Sequence, residues 1–205
     1  MRSLISLAIA ASLAAAAPAV VLAAAKTAPA KAAAPAKGAV AAWTVDKAAS
    51  KLGFKSSFNG EAFEGSFKRW DATIAFDPKN LAASKVTVTV DTGSAVSGDD
   101  TRDESLPTDE WFNAAKFPRA TYTTSAFKDL GGGKFMAEGV LAINGVSKPA
   151  TLNFTLAIQG DVARVNGTAT VMRNAYGVGQ GQFAAADTIP YSVTVPVALV
   201  ARRAK

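Results

Sequence analysis

Alternation of apolar and polar residues with a period of two is the feature that most limits how this 205-residue chain can fold. The segment TLNFTLAIQG, residues 151–160, illustrates the pattern, because Leu152, Phe154, Leu156 and Ile158 share one parity. In an extended chain, residues two apart project from the same face. Each such segment therefore predicts a β-strand with one dry face, which lines either a solid core or a cavity for an apolar ligand.

The same alternation recurs along most of the chain and predicts eight strands. They are expected near residues 50–58, 66–76, 85–91, 119–128, 134–143, 146–158, 162–173 and 191–200. Asn144 and Gly145 join the fifth strand to the sixth as a tight hairpin, and short connections of this kind imply antiparallel neighbours. Asn166 and Gly167 are either a turn or a bulge, and continued alternation favours the bulge.

Eight antiparallel strands with one dry face predict an all-β barrel, wide enough inside to hold one small ligand. Small residues alternate with aromatic ones on the apolar face of the strands. This alternation either leaves room for a ligand or provides the small side chains of a core in which small and large side chains interdigitate. These small residues are Ala72, Ala126, Ala137, Gly139, Gly167 and Ala169.

One long connection, residues 93–118 between the third and fourth strands, lacks the alternation and predicts a loop with a short helix. Thr108 is the expected N-cap, ahead of Asp109 and Glu110 in a first helical turn. A loop of this length covers an opening or carries the function. Its acidic residues do not have the spacing of a calcium loop, which favours a solvated acidic surface.

The two ends of the chain differ in composition from the part between them. Residues 1–25 combine Arg2, an apolar run and small residues before Lys26, the pattern of a cleavable signal peptide, and predict export. Residues 26–42 are rich in alanine, proline and lysine and predict a flexible tether. The folded domain is expected at residues 43–200, and residues 201–205 form a basic tail.

Charge and composition exclude several classes of function. Seven of the 22 basic residues lie in the leader and tails, so the domain holds 15 basic and all 16 acidic residues, and a face that binds nucleic acid is not expected. The tether lysines are compatible with transient contact with an anionic membrane surface. The chain contains no Cys and no His, which excludes disulfides, a Ser-His-Asp triad, a thiolate nucleophile and the usual zinc sites.

The segment RNAYG, residues 173–177, ends the seventh predicted strand with a cation and an aromatic ring at the rim of the barrel. Arg173 either pairs with an acidic neighbour or donates hydrogen bonds to the polar head of a ligand where the barrel opens. Tyr176 either caps the core or contributes to the same head-group site.

Several stretches together resemble the YceI-like family in order and spacing across residues 43–200. They are WTVDKAASKLGF, GSFKRWDATIAFDPKNLAASKVTVTVDTGS, RDESLPTDEWFNAAKFPRATYTTSAF, GVLAINGVSKPATL and RNAYGVG. The resemblance implies a periplasmic, lipocalin-like antiparallel β-barrel whose lumen binds an isoprenoid quinone or polyprenyl lipid without catalysis. Asn144 stands where many members have histidine, so that position can still donate a hydrogen bond but cannot titrate.

The predicted function is therefore a periplasmic carrier that binds an isoprenoid lipid, with no cofactor and no metal. The alternative is a ligand-free structural or stress-related domain that acts through protein partners. A hydrolase or isomerase of the same lipid, with acidic residues of the connection 93–118 as its catalytic groups, is disfavoured. The ligand-binding residues expected on the wall, in the cover and at the rim are Phe54, Trp70, Ile74, Phe76, Trp111, Phe112, Phe117, Leu141, Asn144, Phe154, Leu156, Val171, Arg173, Tyr176 and Val195.

Overall fold

The alternating segments of the sequence are strands in the structure, a computed structural model that describes residues 40–205. The predicted signal peptide and residues 26–39 of the predicted tether lie outside the described residues. The described part contains eleven strands and one α-helix, and no helix in it is long and apolar enough to cross a bilayer. The strands are β1 (Ala42–Val45), β2 (Lys51–Phe58), β3 (Glu61–Phe67), β4 (Trp70–Ala75), β5 (Lys85–Asp91), β6 (Ala95–Val96), β7 (Arg119–Gly131), β8 (Lys134–Ile143), β9 (Val146–Gln159), β10 (Val162–Met172) and β11 (Ser192–Arg203), and the helix is α1 (Asp100–Ser105).

These eleven strands form one closed, eight-stranded antiparallel barrel. We call each of the eight strand positions in its wall a stave. Three staves are each built from two consecutive strands, and the other five from one strand each. β1 and β2 form one stave, β3 and β4 the next, and β5 and β6 the third, since β1 pairs with β4, β2 with β3, β4 with β5, and β3 with β6. β5 then pairs with β7, and β7 through β11 follow one another around the wall. β11 closes the ring by pairing with both β1 and β2. The predicted barrel is confirmed.

The predicted strand at residues 66–76 is wrong in one respect, because it combines the end of β3 with β4. The two strands are separated at Lys68 and Arg69, where the neighbouring stave has extra residues around Thr92 and Ser94. Ser94 fixes this corner, since its hydroxyl accepts a hydrogen bond from the backbone N–H of Arg69 and its carbonyl accepts one from Lys68. The turn before β3 has an overlooked signal, the dipeptide Asn59–Gly60, with φ of 50° and 86°.

The predicted bulge at residues 166–167 and the predicted inward position of Ala126 also need correction. Residues 166–167 contain no bulge, because β10 pairs regularly with both neighbours through Gly167. The irregularity lies instead in β7, between Thr124 and Ala126, and it moves Ala126 outside and Phe127 to the inside. Gly167 is explained by close approach, since a Cβ there would lie 2.9 Å from the Cβ of Phe154 on the paired strand.

The long connection contains a short helix, as predicted, but it lies at Asp100–Ser105, whereas the residues after Thr108 form turns. Asp99, not Thr108, is its N-cap, and its side chain accepts a hydrogen bond from the backbone N–H of Arg102 at 2.8 Å. The Thr108 hydroxyl donates to the carbonyl of Ser105 at 2.7 Å, which helps to end the helical segment. Aspartate and threonine are both good N-caps, so local sequence did not distinguish them.

One end of the barrel interior is filled by an aromatic cluster, which we call the plug. The rings of Phe135 and Phe154 stack with centroids 5.5 Å apart, and Phe76 meets both edge-on at 5.8 and 6.1 Å. Trp43 is buried in the same cluster, and its indole N–H donates to the carbonyl of Phe76 at 2.9 Å. The plug therefore supplies the solid core that the sequence left as one of two alternatives, over part of the barrel.

Replacing Gly65 by alanine is expected to destabilise the fold, because Gly65 pairs with Phe54 and a Cβ there would lie 2.0 Å from the Phe54 ring. That ring is buried against Phe67, which prevents an easy shift. We expect Gly65→Ala to lower the free energy of unfolding by about 1–3 kcal/mol, the usual cost of overpacking, measured by urea denaturation. Gly93→Ala is the control, since its Cβ would make only ordinary contacts. Equal stability of both variants would contradict this packing.

Candidate functional site

A cavity of about 280 Å³ lies inside the barrel. Inward residues of β4, β5, β10 and β11 form much of its wall, for example Ile74, Val88, Val171 and Val195, and the side chains that reach it are predominantly aliphatic or aromatic. Its volume is near the lower end of the range of about 300–1,000 Å³ typical of ligand pockets. The apolar face of the strands therefore lines both the plug and the cavity. The solid core and the cavity, which the sequence left as alternatives, lie in different parts of the same barrel.

Twelve of the fifteen predicted ligand-binding residues lie on this wall, although their role in binding stays a prediction. The twelve are Phe54, Trp70, Ile74, Phe76, Phe112, Leu141, Phe154, Leu156, Val171, Arg173, Tyr176 and Val195. Sequence reasoning missed other wall residues, notably Trp43, Phe67, Phe127 and Val178. Trp43 belongs to a strand that was not predicted, Phe67 ends β3, which the prediction merged with β4, and Phe127 reaches the wall only through the β7 bulge.

Two loops cover the end of the barrel opposite the plug: the acidic loop, residues 97–118, and the arginine loop, residues 173–191. The carbonyl of Glu110 joins them, because it accepts hydrogen bonds from the backbone N–H groups of Gly179 and Gln180 at 2.8 and 2.7 Å. The Trp111 ring also lies 5.3 Å from that of Phe183. The cover is therefore one connected structure.

Trp111, Phe117 and Asn144 are not on the cavity wall but in the cover and at the rim, and their part in ligand binding stays a prediction. Trp111 packs between the two loops, whereas Phe117 lies against Gly145 at the turn between β8 and β9. The Asn144 amide donates to the carbonyl of Trp111 at 2.8 Å. These residues hold the cover to the rim of the barrel, a role that depends on contacts between distant segments and has no local sequence signal.

Arg173 is 2% exposed, and its side chain stabilises the arginine loop from within. The predicted pairing with an acidic neighbour is wrong for the described residues, because none of their carboxylates pairs with Arg173 and all five of its N–H donors are used by backbone carbonyls. The acceptors are the carbonyls of Pro190, Val178, Gly179, Ala185 and Ile189, at 2.7–3.1 Å. Burial lowers the pKa of Arg173. The guanidinium touches the cavity but has no donor left for a ligand.

Two tyrosines contribute polar groups to the wall. The Tyr122 hydroxyl donates to the carbonyl of Ala137 at 3.0 Å, and burial, with the nearby charge of Glu138, raises the pKa of Tyr122 to about 12. Tyr176 is 4% exposed, and burial raises its pKa as well. Both phenols are therefore neutral near pH 7.

The acidic loop is organised by Asp103. Its carboxylate accepts hydrogen bonds from the backbone N–H and the hydroxyl of Ser97, at 2.6 and 2.7 Å, and from the N–H of Gly98 at 3.3 Å. Desolvation raises the pKa of Asp103, but these hydrogen bonds and the charge of Arg102 outweigh it, so the pKa is lowered. Within residues 40–205, no three His, Cys, Asp or Glu side chains come together as a metal site requires.

Comparison with known proteins agrees with this architecture. The YceI-like domain family matches residues 43–201. Protein YceI of Salmonella arizonae is 44% identical over 97 residues, which are 47% of this chain and 50% of that protein, so the chain spans about half the length of the curated relatives it matches.

Solved structures show the same fold. The crystal structure of BcnA from Burkholderia cenocepacia is 30% identical, with a TM-score of 0.74 over 77% of this chain and 99% of the other. A polyisoprenoid binding domain from Saccharophagus degradans is 20% identical, with a TM-score of 0.62 over 80% of this chain and 99% of the other. The predicted barrel is thus found in experimental structures of similar proteins.

Replacing Arg173 by methionine is expected to destabilise the cover, because five loop carbonyls, three of them in buried hydrogen bonds, would lose their donors at once. We expect Arg173→Met to lower the free energy of unfolding by about 3 kcal/mol or more, given a cost of about 1–3 kcal/mol for each unsatisfied buried group without full additivity. Arg164→Met, at an exposed position of β10, serves as the control and should change stability little. Equal unfolding curves for the two variants would contradict this role of Arg173.

Replacing Asp103 by asparagine is expected to reveal the pH dependence of the acidic loop. The folded-state pKa of Asp103 is lowered, so its contribution to stability is present above the unfolded value of about 3.9 and is lost as pH falls through the folded value. The difference in unfolding free energy between wild type and Asp103→Asn should be constant from pH 7 to about 5 and shrink below about 3.9. A difference that does not change with pH would refute the assignment.

Proposed function

The chain belongs to the YceI-like domain family, and on this premise we propose that it binds an isoprenoid lipid, such as an isoprenoid quinone or a polyprenyl compound, in the barrel cavity. The observation that carries the proposal is the closed barrel with an apolar internal cavity between plug and cover. An apolar chain in that cavity would fill empty volume and contact Ile74, Val88 and Val195, whose side chains line it.

Burial of hydrocarbon supplies enough energy for such a ligand without any strong polar contact. Each buried CH₂ contributes about 0.8 kcal/mol, so each five-carbon isoprene unit contributes about 4 kcal/mol before costs. Association costs about 4–15 kcal/mol, so a few enclosed units suffice for stable binding. The ligand class itself comes from the family and from the Saccharophagus degradans domain described as polyisoprenoid binding, and is a proposal for this chain.

We propose binding rather than catalysis, because the described cavity wall offers no group suited to transforming a lipid. No Asp or Glu lies among the wall residues of the described region, and the whole chain has no Cys or His. The acidic loop would need a carboxylate with a raised pKa beside the cavity, whereas the pKa of Asp103 is lowered. A carrier or storage role, with the chain in the barrel and the head group near the cover, is the function these features support.

We propose that this activity is periplasmic, and the support is the pattern of a signal peptide in residues 1–25. A carrier there would receive an isoprenoid from one membrane surface and protect it from water until release. The lysines of the tether supply a transient electrostatic contact with anionic lipids in this proposal.

The test is to express the full chain with export to a bacterial periplasm, purify it without detergent, extract it with organic solvent and identify isoprenoids by mass spectrometry. We expect close to one isoprenoid per protein. Ala169→Phe should remove most of it while the protein stays folded, because Ala169 lines the cavity and a ring there fills the space. Thr170→Phe, exposed on the same strand, is the matched control and should retain the lipid.

An empty extract that stays empty after incubation with quinones and polyprenols would contradict the proposal. It would favour the alternative of a ligand-free domain that acts through protein partners. Equal lipid content in Ala169→Phe and Thr170→Phe would place the ligand outside this cavity.

A further inference from the structure

The pairing between β9 and β10 stops before either strand reaches the cover. Leu152 and Ala169 are the last paired residues of the two strands. Nearer the cover, and among residues 40–205, residues 146–151 of β9 pair only with β8, and residues 170–172 of β10 pair only with β11. We call this separation of the two strands the seam.

A proline contributes to the seam. Pro149 lies opposite Val140 of β8, and it has no backbone N–H to donate to a strand on its other side. If the register of β9 and β10 continued past Ala169, Met172 would lie opposite Pro149. A peptide strand added to this edge of β9 would meet the same missing donor, which disfavours a protein partner that binds as an extra strand.

The seam borders the cavity. Ala150 and Thr151 line the cavity on the β9 side, and Val171 lines it on the β10 side. Widening the seam breaks no ladder hydrogen bond between the two strands, whereas separating them beyond Leu152 breaks several. Along this pair of strands, the seam is therefore where a chain-shaped molecule can pass through the wall at least cost.

Exposed apolar side chains lie beside the seam. Val140 and Met172 are 46% and 45% exposed, and Val146, at the start of β9, is 37% exposed. Pro149 is exposed as well and pairs with Val140. We call these four residues, which lie on three consecutive strands, the apolar corner. Apolar side chains that are exposed together are typical of surfaces that contact a membrane or a protein.

The charges around the apolar corner favour an anionic surface. The only acidic residue from position 139 to position 186 is Asp161, which lies between β9 and β10 at the plug end of the barrel. Lys148 is exposed on β9 within the apolar corner. The acidic helix α1 lies by β3, where the Arg102 guanidinium is 4.1 Å from the centre of the Phe63 ring, on the far side of the ring of staves from β9.

From these features we propose that the apolar corner docks the protein on an anionic lipid bilayer, with the seam facing the membrane as the entrance to the cavity. This inference rests on the proposed function and adds to it the surface that contacts the membrane. In the docked state the apolar side chains enter the boundary between head groups and acyl chains, and Lys148 contacts lipid phosphates. An isoprenoid then passes from bilayer to barrel without crossing water.

The first experiment measures docking by sedimentation of the exported, delipidated protein with isoprenoid-free vesicles of equal parts phosphatidylethanolamine and phosphatidylglycerol. We expect Met172→Asp to weaken vesicle binding about tenfold, because it removes an apolar contact and adds a charge that anionic lipids repel. Leu130→Asp is the matched control, since Leu130 is 53% exposed at the plug end, and it should change binding little. Both variants keep the tether, so its lysines contribute equally.

Absence of wild-type binding to these vesicles, or equal loss of binding in the two variants, would overturn the docking surface. Neither result would affect the proposed binding of an isoprenoid in the cavity, because these vesicles contain none.

The second experiment follows the transfer of geranylgeraniol from the same vesicles to the protein. We expect Met172→Asp to slow this transfer about tenfold, in proportion to its loss of docking, and to bind as much geranylgeraniol as wild type when the alcohol is added from ethanol. Unchanged transfer in a variant that no longer docks would show that the seam is not the entrance. Failure of the wild type to bind geranylgeraniol from either source would count against the proposed function, whereas sedimentation would still test the docking surface.

Discussion

Closure of the barrel through β11 is the interaction on which the rest of the structure depends. This strand pairs along its length with β10 and, on its other side, with both β1 and β2. Once the ring is closed, the main strands have neighbours on both sides, and every second side chain must point into a limited interior. Plug and cavity are both consequences of that geometry, because the interior of an eight-stranded barrel can be filled by side chains in one part and leave room for a small ligand in another.

The cover shows how a barrel with few polar residues closes its open end without making the cavity polar. Irregular loops carry backbone groups that need partners, and here most of those partners are other loop atoms. Arg173 satisfies five carbonyls, and the Glu110 carbonyl satisfies two N–H groups of the facing loop. The charged side chain of Arg173 therefore stabilises the loop, and the cavity beneath the cover remains suited to a hydrocarbon chain.

Much of the fold was predictable because alternation is a local property. Residues 85–91 and 134–143 form strands with the predicted bounds, and the Asn144–Gly145 turn adopts φ of 50° and 75° as a tight hairpin requires. Errors occurred where tertiary contacts overrule the pattern. The β7 bulge exchanges Ala126 for Phe127 on the inner face, and the corner at Ser94 divides a continuous-looking strand in two. Neither feature changes the local composition enough to be visible in the sequence.

The sequence by itself determined the all-β class, the inward parity of most strands and the absence of thiol and imidazole chemistry, since these follow from residue type and a period of two. Only the tertiary structure decided which aromatic residues fill the plug, which line the cavity and which brace the cover. It also decided that Arg173 binds carbonyls instead of an acidic partner. Those outcomes depend on distances between segments far apart in the chain, and such distances are fixed only when the ring of strands closes.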